Sequence, residues 1–497
     1  MNSIYKLGTP VRPVAAKERD WPRGSLGEPL YRFPATVAQQ TFWLLHSMEG
    51  GNSAWNIAVR FRIRGRLDIP TLARAINELP RRHEILRTTF ALVDRAPMQI
   101  VHASALIPLP GDDLSRLPQA QRDVEEERRT IIEGAHKFDL GTGPLIRARI
   151  LRLAEEEHVL IMTVHHIVSD GWSIGIFSDE VAANYQALLT GAAPALPDLA
   201  FQFADYAVWQ AECAKLAATE EDKTYWKQQL ANLPVLEIPP NHPRPPVKTN
   251  NGYILSTVLP VALTSTLEEF SHQHECTLYL AAVAALNMLI GHHARQADIY
   301  IGTLLAGRDR MELEPMFGLF INTIVLRTSL AGNPTFAELL DRVRETFEAG
   351  LAHQDLHFSQ VVEAARPKRD PSRPTLYSIN FIYQRDFVKP LEFGGLTMEP
   401  MPSKSPGAIY DLNFFMVRRS DGWRLSCEYN YDLYDGETIS LLIGQFRNLL
   451  MEIAQNPNRR ISEFPFPADV ADPLPPMVPH TRLDPRPAAT SASPSRV

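Results

Sequence analysis

Residues 54–65, AWNIAVRFRIRG, alternate apolar and polar positions, the period of a strand with one buried face. Asp68 follows, and the run IPTLARAINELPRRH after it predicts a capped helix with Pro70 in its first turn. Residues 145–166, LIRARILRLAEEEHVLIMTVHH, predict two strands joined by an acidic turn. Ser173 then opens a helix in which Ile174, Phe177, Val181, Tyr185 and Leu188 recur at steps of three and four, making one apolar face. A proline-rich link, 191–206, separates this half from a second with the same theme. The second half predicts a buried helix over 277–293, a strand and loop over 298–308 and a strand over 321–330. An amphipathic helix over 334–354, strands over 375–384 and within 410–430, and a closing helix from Glu437 to Gln455 complete it. No short tandem repeat is present. Strands and helices alternating twice over predict an α/β protein of two lobes of similar build.

Composition sharpens the boundaries. Of 497 residues, 45% are apolar and 22% charged, which excludes a mostly disordered chain, a collagenous repeat and a coiled-coil rod. Residues 1–30 and 467–497 are rich in proline and poor in apolar runs, so they read as a flexible arm and a disordered tail. The lobes are then expected over 31–195 and 196–466. A net charge of −7 argues against a general binder of nucleic-acid backbones. Cys213, Cys276 and Cys427 form no CxxC, so neither a disulfide framework nor a metal site is expected. The N-terminus lacks the apolar core of a signal peptide, and the most apolar stretch, 278–290, is too short to span a bilayer. These readings place the chain in the cytoplasm, with no membrane partner.

The chemistry concentrates in TVHHIVSDGWSIG, residues 163–175. Side chains alternate across a strand, so only one of His165 and His166 can face a given cleft. An imidazole titrating near neutrality suits proton transfer. Asp170 can turn back to anchor the loop if an arginine neutralises it. Gly171 removes a side chain where a ligand could approach the backbone. His292 and His293 have no acid nearby, and His272 and His274 lack a third metal ligand, so they receive no role. Residues 171–175 also fit GxSxG, the nucleophile elbow of serine hydrolases. The elbow needs a strand running straight into the first glycine, whereas HHIVSD intervenes; Ser173 is better read as a helix N-cap.

The HHxxxDG of this loop resembles the active-site signature of the nonribosomal peptide synthetase condensation-domain family; the wider acyltransferase superfamily, including chloramphenicol acetyltransferase, shares its HxxxDG core. AQQTFWLL (38–45) and RHEILRTTF (82–90) resemble the family's first two motifs, and the histidine run is the third. YAVW (206–209), GLFINTIVLR (318–327), HQDLHFSQVVE (353–363) and RDPSRPTL (369–376) resemble the fourth to seventh, in order. IGTLLAGR (301–308) and CEYNYDLYDGETI (427–439) are similar to further family runs. The chain departs from the pattern at Thr41, usually Arg, at His357, usually Pro, at Pro374-Thr375, usually Asn-Pro, and at Leu304-Leu305, usually Pro-Val.

The resemblance implies two chloramphenicol-acetyltransferase-like lobes in a V-shaped pseudodimer, with a central tunnel crossing at the histidine loop. An acyl, peptidyl or polyketide donor, thioesterified to the phosphopantetheine of a carrier protein, would meet an amine or hydroxyl acceptor there. His166 would be the catalytic histidine, as base or as positioning group, and His165 would orient the loop. Gly171 would offer its N–H to the developing oxyanion. Asp170 would pair with an arginine, Arg87 slightly favoured over Arg308. Trp172, Ser173 and Asn322 would line the tunnel, the alternative for Asn322 being a strand-end amide that bonds backbone. VSDGWSIGI resembles loops of domains that accept an L-configured or achiral donor. The sequence holds no adenylation-type phosphate loop and no GGHS-like carrier serine, so no bound cofactor is expected. The expectation is a freestanding, monomeric enzyme of secondary metabolism, its carrier supplied in trans, that releases a chain as amide or ester. A degenerate module that only recruits a partner is the alternative, although such modules usually lose the second histidine.

Overall fold

A computed structural model describes residues 26–468 apart from 218, 385–386, 403, 406 and 420–421. The first half of the chain runs β1 (Pro29–Pro34), α1 (Val37–Glu49), β2 (Asn56–Arg64), α2 (Ile69–Arg82), β3 (Thr88–Val93), β4 (Ala96–His102) and β5 (Gly111–Asp113). It continues through α3 (Gln119–Gly134), β6 (Ile146–Ala154), β7 (Glu157–His165), α4 (Gly171–Thr190), α5 (Phe203–Ala217) and α6 (Glu220–Gln229). The second half runs β8 (Gly252–Leu259), α7 (Val261–Gln273), α8 (Leu278–Ala294), β9 (Asp298–Leu305), β10 (Asn322–Ser329), α9 (Phe336–Ala352) and α10 (Phe358–Ala365). It ends with β11 (Ile379–Gln384), β12 (Leu391–Phe393), β13 (Leu396–Pro400), β14 (Leu412–Arg419), β15 (Gly422–Asn430) and α11 (Gly436–Gln455).

Each lobe is built on a six-stranded sheet. The first has the order β12-β13-β2-β7-β6-β5 and the second β10-β9-β11-β14-β15-β8. A small sheet β1-β4-β3 flanks the first. In the first lobe, Phe61 and Ile63 of β2 and Met162 and Val164 of β7 share a core with Leu72 and Leu79 of α2 and with Phe177 and Val181 of α4. The polar positions of β2 are not left to water: Arg60 is buried against Glu126 of α3 at 2.9 Å, and Arg149 of β6 reaches Glu133 of the same helix at 2.7 Å. The alternation therefore separates an apolar face from an ion-paired one. In the second lobe, α8, predicted as buried, is covered almost throughout, and Phe381 and Phe414 pack on Phe446 of α11.

The chain does not divide in space at residue 195. Phe203 and Tyr206 of α5, and the segment from Leu313 to Phe320, join the core of the first lobe. β12 and β13 leave the second half and extend the first sheet, with Thr397 opposite Arg64 and Pro400 opposite Phe61. They satisfy the backbone groups of β2 that would otherwise form a bare sheet edge. The arm also begins to pair before residue 31: Leu26 bridges Ala105, and β1 runs antiparallel to β4. Residues 1–25 of the expected arm and 469–497 of the expected tail lie outside the described residues. Among the described helices, no single one is long and apolar enough to cross a membrane.

Candidate active site at the seam of the lobes

β7 ends at His165, and α4 begins at Gly171. Asp170, not Ser173, is the N-cap: its carboxylate accepts the Ser173 N–H at 2.9 Å, and the two residues form a capping box. The sequence reading set the cap three residues late because serine is a good cap; aspartate is equally good, with Ser173 supplying the reciprocal bond at N3. Ser173 is fully buried, and its hydroxyl bridges Asp170 Oδ1 at 2.8 Å and the backbone of Gly318 at 3.1 Å. That environment commits it to structure and leaves no place for a hydrolase nucleophile or a tunnel-lining hydroxyl.

The two histidines have separate surroundings. His165 is 1% exposed; its Nδ1 accepts the Ile167 N–H at 3.1 Å, and its ring meets the edges of His46 and Phe138. Burial, with His46 and His166 nearby, pushes its pKa down to about 3. The His166 ring lies 5.4 Å from that of Phe42, which in turn packs edge-on against Trp55. Its Nδ1 is buried with no hydrogen-bond partner. Burial lowers the His166 pKa, and the Asp170 carboxylate offsets part of that effect. The imidazole is therefore neutral at pH 7, the form that can accept a proton.

Asp170 resolves the choice between the arginines in favour of Arg308. Arg308 Nη2 lies 3.1 Å from both carboxylate oxygens, with each side chain 1% exposed. The guanidinium also donates to Met316 O at 2.7 Å and to Leu313 O, and stands 4.0 Å over the Phe320 ring. Arg87 instead donates to Pro80 O at 2.8 Å and pairs with Glu84 at 3.2 Å. Both arginines stand in runs that resemble family motifs, and spacing alone could not separate them. Trp172 donates its indole N–H to Glu314 O at 2.9 Å and packs on Phe387. Asn322 takes the backbone-bonding alternative: its amide donates to Gln354 O and accepts the Thr323 and Phe358 N–H groups, stapling the 354–358 turn.

Two residues of the seam carried no signal of their own. Gln39 of α1 is fully buried and donates to Ile167 O at 3.1 Å, fixing the loop to the first helix. Gln384, the last residue of β11, fills the space beside Gly171: a Cβ added there would lie 3.5 Å from its amide nitrogen. Gln39 falls in a run similar to the first family motif, so its position was visible although its bond was not.

At His357, where the family usually has proline, both ring nitrogens are buried without partners, and burial pushes the pKa down to about 4. The folded chain thus resists protonating His165 and His357, whereas the unfolded chain binds these protons near pH 6.5. Their contribution to stability is complete above pH 6.5 and is lost as pH falls towards 4 and 3, at up to about 1.4 kcal/mol per unit and group. His357→Gln is expected to lessen the loss of stability between pH 7 and 4.5 by about 2 kcal/mol. Urea denaturation of both proteins at the two pH values measures this, and an identical loss would contradict it.

Comparison with known proteins agrees with this geometry. Residues 31–472 match the condensation-domain family. The chain is 36% identical over 431 residues to the chondramide synthase cmdD of Chondromyces crocatus, covering 86% of this chain and 11% of that protein. It is 37% identical over 423 residues to phosphinothricin tripeptide synthetase PhsB of Streptomyces viridochromogenes, covering 84% and 35%. The chain therefore spans a minor part of the curated relatives it matches. Among solved structures, the X-domain from teicoplanin biosynthesis is 29% identical with a TM-score of 0.76, over 91% of this chain and all of that one. The first condensation domain of the calcium-dependent antibiotic synthetase, in complex with substrate analogue 3a, shares the fold at 20% identity, with a TM-score of 0.73 over 88% of this chain and 100% of that one. With the two-lobed α/β fold, the histidine loop at the seam and a family match over nearly all of the described residues, the chain belongs to the condensation-domain family of nonribosomal peptide synthetases.

Proposed function

We propose that the chain catalyses condensation, moving an acyl, peptidyl or polyketide group from the phosphopantetheine thioester of a carrier protein to an amine or hydroxyl acceptor. The observation that carries this reading is His166: a neutral imidazole on a loop locked between the lobes by Asp170 and Arg308. The acceptor's nitrogen or oxygen bonds to the thioester carbonyl carbon. His166 takes the acceptor's proton or holds the acceptor in line. Collapse of the tetrahedral intermediate breaks the carbon–sulfur bond, and the thiolate takes up the proton as it leaves. Gly171, the first residue of α4, has its N–H at the helix N-terminus, suited to the developing oxyanion. His165 holds the loop through Ile167. The sequence has no carrier-type serine motif, so the donor's carrier lies outside these residues.

The test supplies carrier-bound aminoacyl donors with a panel of amines and alcohols. Product should form only with both substrates, and intact mass spectrometry should show no acylated enzyme when the acceptor is omitted. Carrier-bound donor should exceed its short pantetheine thioester at least tenfold in kcat/KM, about 1.4 kcal/mol of transition-state stabilisation. A stable acyl adduct, or equal use of the two donors, overturns direct carrier-dependent transfer.

A second reading is a module that recruits a partner enzyme. The 29% identity to the teicoplanin X-domain, which has been solved in complex with OxyB, favours it. The retained His166 favours catalysis. Transfer in the assay above decides for catalysis, and its absence with every donor decides for recruitment.

A further inference from the structure

The second sheet has two unlike faces. Phe381 and Phe414 point to the helices, and their neighbours in register point the other way. On that opposite face Asn380 of β11, Asn413 of β14 and Glu428 of β15 stand side by side in register. Gln384, four residues along β11 on the same face, is the residue beside Gly171, so this face is turned to the histidine loop. The crossover from β13 to β14 passes over the row: Ser405 bonds Glu428, and Gly407 sits against Ala54 of the first lobe.

The row is short of donors. Asn380 Nδ2 donates to Asn413 Oδ1 at 2.9 Å, and Asn413 Nδ2 reaches Glu428 Oε2 at a long 3.4 Å. Ser405 Oγ donates to Glu428 Oε1 at 2.6 Å. Asn380 is fully buried, and its Oδ1 has no partner. No guanidinium or ammonium of the described residues pairs with Glu428. A partly buried carboxylate with no cation beside it either takes a proton or awaits a charged partner, and an orphaned amide oxygen carries a desolvation cost of about 1–3 kcal/mol.

We propose that Glu428, with Asn413 and Asn380, forms a subsite for a protonated amine on a substrate, in the wall facing the histidine loop. This deepens the condensation reading and rests on it for the amine being part of a substrate. A primary ammonium supplies the charge that Glu428 lacks and donors for the carboxylate lone pairs that Ser405 and Asn413 leave unused, and Asn380 orients Asn413 behind it. Burial pushes the Glu428 carboxyl up to about 7, so an arriving ammonium displaces a proton from part of the population near neutrality.

Calorimetric titration of the full chain with n-butylammonium chloride and with n-butanol at pH 8 tests the subsite. The ammonium should bind saturably and at least tenfold more tightly than the alcohol. Glu428→Gln should weaken it at least tenfold. With the wild-type chain, titration near pH 7 in buffers of different ionisation enthalpy should show proton release on ammonium binding. This second measurement decides the matter if the glutamine variant does not fold. Equal affinity for ammonium and alcohol overturns the proposal, as does unchanged binding by Glu428→Gln or the absence of proton release. No acyl transfer is needed for the readout, so its failure is distinguishable from failure of the condensation reading.

Discussion

His166→Ala is expected to lower kcat for acyl transfer at least 100-fold, about 2.7 kcal/mol, while the protein stays folded and still binds its carrier. A positioned base is typically worth about 10²–10⁴-fold, and orientation of two bound substrates can supply as much again. The substitution removes a ring that contacts Phe42 and whose Nδ1 bonds nothing, so it deletes little that holds the fold. Melting and carrier binding should therefore stay close to wild type. Because burial lowers the imidazole pKa, activity of the wild type should hold as pH falls from 8 to 6.5 and decline only below that range. Single-turnover rates with carrier-bound donor measure both effects. Transfer within threefold of wild type by the alanine variant would remove the assigned role, and an acid limb above pH 6.5 would contradict the neutral imidazole.

The lobes and most of their strands and helices were legible because apolar period and turn chemistry are local. The 54–65 alternation, the 145–166 strand pair and the buried 277–293 helix all reappear as β2, β6 with β7, and α8. What the sequence did not show is set by long-range contact. Nothing in LEFGGLTMEP announces that β12 and β13 finish the sheet of the other lobe. Nothing in MELEPMFGLF says that Leu313, Phe317 and Phe320 enter the first core. The histidine loop stood out through rare residues at fixed spacing, and the resemblance put His166 forward for catalysis. The choice of Arg308 over Arg87 needed coordinates, because both stand in runs that resemble family motifs and nothing in their spacing tells which one reaches Asp170. The Asn380–Asn413–Glu428 row was equally hidden, since its members come from three strands and meet only through sheet register.

The Asp170–Arg308 pair ties the histidine loop to the segment that reaches across from the second half. Asp170→Ala should therefore cost both stability and activity, by about 3–5 kcal/mol in unfolding free energy, because it leaves Arg308 charged and buried. The carboxylate also accepts the Ser173 N–H and the Phe320 N–H at 3.3 Å, so the helix cap and the crossing segment lose an acceptor together. Asp170→Asn separates these parts. Asparagine still caps a helix, so it should recover about 1 kcal/mol of the alanine loss while leaving the uncompensated guanidinium in place. Arg308→Met removes the cation and should be costly alone, and combined with Asp170→Asn it should lose less than the sum of the two. Arg87→Met should instead add to Asp170→Asn without coupling, since Arg87 serves Glu84 and the end of α2. Urea denaturation of the four variants and the double mutants reads all of these. An unchanged midpoint for Asp170→Ala, or coupling of Asp170 to Arg87 and not to Arg308, would show that the pair does not lock the loop.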